Sequence, residues 1–301
     1  MKRILITGAS GMLGFTLVNI FSKCGFKVYA TGADNEVNIP NYKCYDLASD
    51  DYSELITWSN PEVVVHCAAI INGNYCNEHP KEAFDINGIS LKKLVDATDK
   101  SVKILYISSD AVFPSSTHLA KEEDLTFPEN IYGKSKEIGE FFLRNTDRDY
   151  IIVRTTIVGL NKDTTKLGFV EWILQSAIQN DKVGLFNDVL FTPITIWDLA
   201  EELIFLTSHT LPAKIYHITG TEILSKYEFG KKLLDALNIP ALNIEKDSIL
   251  NFKDRAKRCA DQTLNVNLYQ EHSKRILPNN EKTIQTLVSK IKENEKYQIR
   301  E

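Results

Sequence analysis

The chain has 301 residues, 43% hydrophobic and 25% charged, with a formal net charge of −5. That length can bury a sizeable core, and the composition is that of an ordinary globular protein. The acidic balance argues against nucleic acid or an anionic membrane as partner, although a local cation cluster can still hold a phosphate. Five cysteines with no CxxC pair, and histidines with no ligand spacing, point to free thiols in a reducing compartment and to no metal. No apolar run approaches a membrane span, and MKRILITGAS enters a strand without a signal-peptide pattern, so a cytoplasmic protein is expected.

Short β-branched apolar runs alternate with helically spaced segments. Residues 2–7 read as a first strand and 12–24 as a helix, with apolar residues at 13, 17, 20, 21 and 24. Further strands are predicted at 27–31, 62–66, 103–108 and 150–154, with helices near 51–58, 79–98 and 131–146. Strands apolar on both faces, alternating with helices, predict an α/β fold with a Rossmann-type, doubly wound parallel sheet. Beyond residue 157 the rhythm loosens. Helices are predicted at 168–180, 197–207, 225–237 and 281–296, short strands near 183–186 and 214–218, and a loop-rich polar stretch at 238–280. The expected division is a dinucleotide-binding domain of 1–157 plus about 190–218, and a smaller C-terminal α/β substrate lobe of about 158–189 and 219–301.

The first strand runs into Thr7-Gly8-Ala9-Ser10-Gly11-Met12-Leu13-Gly14, and a helix follows. Gly8 suits the tight turn, Gly11 lets backbone approach a pyrophosphate, and Gly14 lets helix and strand pack closely. The helix N-terminus offers free N–H groups to the phosphates. At the end of strand two, where a carboxylate commonly holds the ribose of NAD, stands Thr31-Gly32-Ala33-Asp34. Small residues leave room for a 2′-phosphate, yet no arginine adjoins. NADP(H) is favoured and NAD(H) stays open.

Tyr132 and Lys136 lie four apart at the start of a helix, hence on one face. Carbonyl reduction needs a proton donor at oxygen, and a nearby ammonium is expected to bring the phenol into range. The strand at 103–108 ends in Ser108-Ser109-Asp110. A hydroxyl at a carboxyl strand end can meet a substrate carbonyl, and Ser109 is the candidate; Ser108 reads as a strand cap and Asp110 as a turn-former.

TGASGMLG, HCAAI, SSDAVF, YGKSKEIGE and VRTT, in this order, resemble the extended short-chain dehydrogenases/reductases. YHITG, SKYEF and RAKRCADQTLN are similar to the substrate-domain pattern of the dTDP-4-dehydrorhamnose reductase family. The resemblance implies NAD(P)H-dependent reduction of the 4-keto group of a nucleotide-linked 4-keto-6-deoxysugar, and it allows a homodimer. It makes Tyr132 the acid, Lys136 its modulator and ribose ligand, and Ser109 the carbonyl-binding hydroxyl. It assigns Asp46 and Leu47 to the adenine, Cys67, Ala68 and Ala69 to the turn passing the cofactor, and Asn87 to active-site order. Asp110 joins Ser109 as a substrate candidate. Arg255, Lys257 and Arg258 read either as a diphosphate site or as a solvated basic loop. Ala111 and Ile157 replace aromatic residues of the family pattern, which implies a changed sugar pocket. Two other functions fit the same residues: an epimerase or dehydratase that retains NAD, and a non-catalytic regulatory subunit of the methionine adenosyltransferase type.

Overall fold

The computed structural model describes residues 1–35, 37–49, 51–162, 166–251, 257 and 259–294. The first half is built from β1 (Arg3–Thr7), α1 (Met12–Lys23), β2 (Lys27–Gly32), β3 (Tyr42–Cys44), α2 (Ser53–Ser59) and β4 (Val63–His66). It continues with α3 (Gly73–Glu78), α4 (Pro80–Phe84), α5 (Ser90–Ala97), β5 (Lys103–Ile107), α6 (Ile131–Arg144) and β6 (Tyr150–Arg154). The predicted helix over 79–98 is divided. Pro80, lacking an N–H, opens α4, and a π-helical turn over Asp85–Ile89 separates α4 from α5.

The second half contains β7 (Ile157–Val158), α7 (Phe169–Gln179), β8 (Val183–Phe186), β9 (Leu190–Phe191), β10 (Ile194–Thr195), α8 (Ile196–Ser208) and β11 (Ile215–His217). It ends with β12 (Leu224–Ser225), α9 (Lys226–Ala236), β13 (Ile244–Asp247), β14 (Asp261–Gln262), α10 (Asn267–Ser273) and α11 (Asn280–Glu293). The described residues of 238–280 thus form more regular structure than their polarity suggests. β13 pairs with β8, β14 pairs with β9, and the fully buried Tyr269 of α10 donates to Glu202 at 2.6 Å.

Seven strands form a parallel sheet in the order β11-β6-β5-β4-β1-β2-β3. Alternate residues feed opposite cores. Ile4, Ile6, Val63 and Val65 pack with Leu13, Leu17 and Phe21 of α1 and Leu199 and Leu203 of α8. Leu5, Val64, Ile104 and Ile152 pack with Leu55, Leu91, Leu94 and Leu143 of α2, α5 and α6. Both faces are covered, as their near-continuous apolar runs require. A further core joins Leu174, Leu185, Phe191, Phe229, Leu233 and Leu287. The strand order reverses direction between β1 and β4, so a cleft opens beyond their carboxyl ends. No helix among the described residues is long and apolar enough to cross a membrane.

Candidate active site

The glycine turn fills the mouth of that cleft. Gly8 has φ +69°, and a Cβ there would stand 2.7 Å from the backbone of Ala68. Gly14 lies so close to the Gly8 carbonyl that any side chain would collide. Gly11 caps α1, its N–H bonds Gly8 O at 3.0 Å, and a Cβ on it would meet nothing nearer than that oxygen at 3.3 Å. The first turn of α1 carries no acidic residue. This cradle fits a pyrophosphate, because backbone donors and the positive helix end are accessible together. Leu13 is buried and Met12 packs against the same core, so these two hold the turn from behind. Thr7 Oγ1 meets His66 Nδ1 at 3.0 Å and Ala68 N at 3.3 Å, fastening β1 to the Cys67-Ala68-Ala69 turn.

At the end of β2, Thr31 is a fastener. Its carbonyl accepts from Ala9 N and its hydroxyl donates to Lys43 O. A Cβ on Gly32 would stand 2.9 Å from both Ser10 Oγ and Tyr42 OH, so a larger side chain there would have to displace these two hydroxyls. Tyr42 donates to Asp34 O at 2.7 Å, and burial pushes its phenol up to about 12. Asp34 pairs with Lys166 at 3.2 Å, so a cation does reach this end of the cleft, from far along the chain. Asp46 is exposed, and its carboxylate accepts from Ala48 N in a local turn; Leu47 beside it is buried.

Asn130 caps α6 through Gly133 N at 2.8 Å, and Gly133 lets the helix rest on the Ala111 carbonyl. Asn87, on the π-helical turn, accepts from Ile70 N at 2.7 Å and donates to Ile70 O at 3.0 Å and Ser135 Oγ at 2.8 Å. Ser135 in turn donates to Tyr132 O at 2.7 Å. This network locks α6 against the cleft.

Burial pushes the Tyr132 phenol up, Asp110 adds to that, and the facing Ser109 hydroxyl opposes it. Burial pushes Lys136 down to about 7, against opposing contributions from Cys67 and Glu140. Lys136 Nζ lies 4.2 Å from the Tyr106 ring centroid, and Ser109 is the group that favours phenolate. Lys136 also helps to depress His66, which burial first of all pushes down to about 3.

Ser109 donates to Asp110 Oδ1 at 2.7 Å and accepts from Ala111 N at 3.2 Å. Burial pushes the Asp110 carboxyl up, with Ser109 and Lys226 opposing. Lys226, at the start of α9, sits 3.4 Å from the centroid of the Phe191 ring. Ser108 does not merely end its strand. It donates at 2.6 Å to Glu140, which Arg154 grips with Nε at 3.0 Å and Nη2 at 2.7 Å, all out of solvent. Glu140 follows Lys136 by four residues, so helical spacing held the signal for this pair, whereas nothing local marked Lys166 or Lys226. The buried Thr156 hydroxyl, just beyond β6, has no partner among the described residues. Lys257 bonds Glu129 at 2.8 Å, and its carbonyl accepts from the capping Asn130, which brings Lys257 to the start of α6. Arg255 and Arg258 lie outside the described residues. A 640 Å³ cavity at the opposite, amino-terminal edge of the sheet, lined by Lys2, Glu62, Lys103 and Asp149, contains none of these groups.

A doubly wound sheet with a glycine cradle at its switch point, and Ser109, Tyr132 and Lys136 beside it, defines the extended short-chain dehydrogenase/reductase class. The chain belongs to the family described as RmlD substrate binding domain, which matches residues 1–293. A spore coat polysaccharide biosynthesis protein, SpsK, of Bacillus subtilis (strain 168) is 32% identical over 78% of this chain and 79% of its own length. The methionine adenosyltransferase 2 subunit beta of Xenopus laevis is 27% identical over 81% of this chain and 74% of its own. A dTDP-4-dehydrorhamnose reductase of Aggregatibacter actinomycetemcomitans is 28% identical over 90% and 93%. Among solved structures, the dTDP-4-dehydrorhamnose reductase of Bacillus anthracis str. Ames in complex with NADP superposes with a TM-score of 0.84 at 24% identity, covering 96% of this chain and 100% of that one.

Proposed function

We propose that the protein reduces the 4-keto group of a nucleotide-linked 4-keto-6-deoxysugar with NAD(P)H, NADP(H) being preferred, in the biosynthesis of a deoxysugar-containing polysaccharide. The observation that carries this reading is that Ser109 faces Tyr132, while Lys136, one turn further along α6, faces Cys67 in the turn that packs on Gly8. The reductase and polysaccharide relatives support the same activity, and the NADP complex of the Bacillus anthracis enzyme supports the cofactor. A bound nicotinamide supplies the hydride. Tyr132 gives its phenolic proton to the carbonyl oxygen, so that one hydride and one proton convert ketone to alcohol. Ser109 stabilises the phenolate left behind and can turn from Asp110 to the carbonyl. Lys136, poised near neutrality, returns a proton to Tyr132 and holds the nicotinamide ribose. The core around Phe191, Phe229 and Leu174 backs the sugar-nucleotide side of the cleft, and the first 157 residues with β10, α8 and β11 form the dinucleotide side.

The test is a panel of dTDP-, UDP-, GDP- and CDP-linked 4-keto-6-deoxysugars, each mixed with NADPH and followed by nicotinamide absorbance. NADPH consumption with at least one sugar is expected. Cofactor binding with no consumption across the panel would instead support a non-catalytic subunit, the Xenopus relative being named as subunit beta of methionine adenosyltransferase 2.

A further inference from the structure

The dinucleotide end of the cleft receives two lysines from a segment far from the glycine turn. Lys162 Nζ lies 4.3 Å from the ring centroid of Phe15, in the first turns of α1. Lys166 Nζ lies 3.2 Å from Asp34, two residues beyond β2. One buried carboxylate ties Asn161, just before Lys162, to Gly168, two residues after Lys166. Glu171 accepts from the N–H and side-chain amide of Asn161 and, at 3.0 Å, from Gly168 N. Beneath Asp34, Gly32 leaves no side chain in the ribose position, and the Ser10 and Tyr42 hydroxyls line it.

We propose that Asp34 and Lys166 form a pair that sets the choice of dinucleotide. Asp34 accepts a hydrogen bond from the ribose 2′-hydroxyl of NAD(H), whereas Lys166 turns from Asp34 to the 2′-phosphate of NADP(H). With NADP(H), Lys166 offsets part of the repulsion between Asp34 and the 2′-phosphate. Its side chains are 58% and 47% exposed, and an exposed ion pair holds its partners weakly enough to exchange them. The reading rests on the proposed dinucleotide site. Lys162, beside the helix end, serves the pyrophosphate common to both cofactors.

Dissociation constants for NADH and NADPH, measured on the full chain and on Lys166→Met, Asp34→Asn and Lys162→Met, test the assignment. Lys166→Met is expected to weaken NADPH binding about tenfold or more, the scale of one charge-assisted contact, and NADH less than about twofold. Asp34→Asn shifts the NADPH/NADH affinity ratio in the opposite direction. Lys162→Met weakens both cofactors alike. A ratio unchanged in both Lys166→Met and Asp34→Asn, with the unaltered protein binding normally, overturns the pair alone. Failure of the unaltered protein to bind either cofactor overturns the dinucleotide reading and the pair with it.

Discussion

Lys136 is the residue whose environment departs furthest from what its position in the sequence suggested. A spacing of four placed it on the face of Tyr132, but only the fold could place Tyr106 under its ammonium and bury it almost fully. Its depressed folded-state pKa has a consequence for stability. Below about 7 the lysine is charged whether folded or unfolded, and the cost of burying that charge is carried in full. Between about 7 and the ordinary 10.5 the unfolded chain keeps a proton that the folded one has released, so stability rises with pH. Urea unfolding should therefore show the unaltered protein gaining stability on Lys136→Met from pH 7 to pH 10; a constant difference would contradict the burial argument. Ser109 was legible as a hydroxyl at a strand end, but its bond to Asp110 was not, because the burial of Asp110 and the influence of Lys226 on it arise only in the folded chain. Ser109→Ala is expected to lower kcat about a hundredfold, the scale of losing one preorganised donor. It should also move the pH profile upward, since Ser109 is the group that favours the phenolate; an unmoved profile would remove that role.

Elements differed in how plainly the sequence announced them. α1 and the five strands β1, β2, β4, β5 and β6 carry clear periodicity or apolar runs, and they appear within a residue or two of expectation. The π-helical turn at Asp85–Ile89 has no such signature; its Asn87 bridges Ile70, in the loop after β4, and Ser135 of α6. Two-residue strands such as β9, β12 and β14 are too short to show alternation and exist through pairing alone. At this scale the buried Arg154–Glu140 pair joins β6 to α6, with Ser108 of the β5 end on the same carboxylate. Glu140→Ala strands a buried guanidinium and is expected to cost about 3–5 kcal/mol in urea unfolding. A loss well under 1 kcal/mol would mean that the pair is dispensable. Gly14→Ala places a methyl group against the Gly8 carbonyl, so NADPH affinity should fall by at least about tenfold, while unchanged affinity would contradict the close packing of the turn.

Across the whole molecule, two buried histidines make the fold sensitive to acid. Burial pushes both His66, below the cleft, and His217, on the edge strand β11, down to about 3. Their folded pKa values lie below the ordinary 6.5, so the stability linked to them is complete above about 6.5 and is lost as pH falls towards 3. The urea midpoint should therefore fall steadily over that range, and less steeply in His217→Gln; equal slopes would assign the acid sensitivity elsewhere. The doubly wound sheet was readable from alternation alone, and the glycine turn and Tyr132–Lys136 pointed to the cleft at its carboxyl edge. The cations that complete the cleft were not readable, because Lys166 meets Asp34 across 132 residues and Lys226 reaches Asp110 from α9. The proposed function unites these features through a proton delivered from Tyr132 beside a dinucleotide. The most direct measurement compares turnover and NADPH affinity in the unaltered protein and in Tyr132→Phe, with the nucleotide-sugar ketone the panel identifies. Turnover is expected to fall at least about a hundredfold, the usual scale for losing a general acid, while NADPH affinity changes less than about twofold. Undiminished turnover in Tyr132→Phe would contradict the proposed chemistry outright.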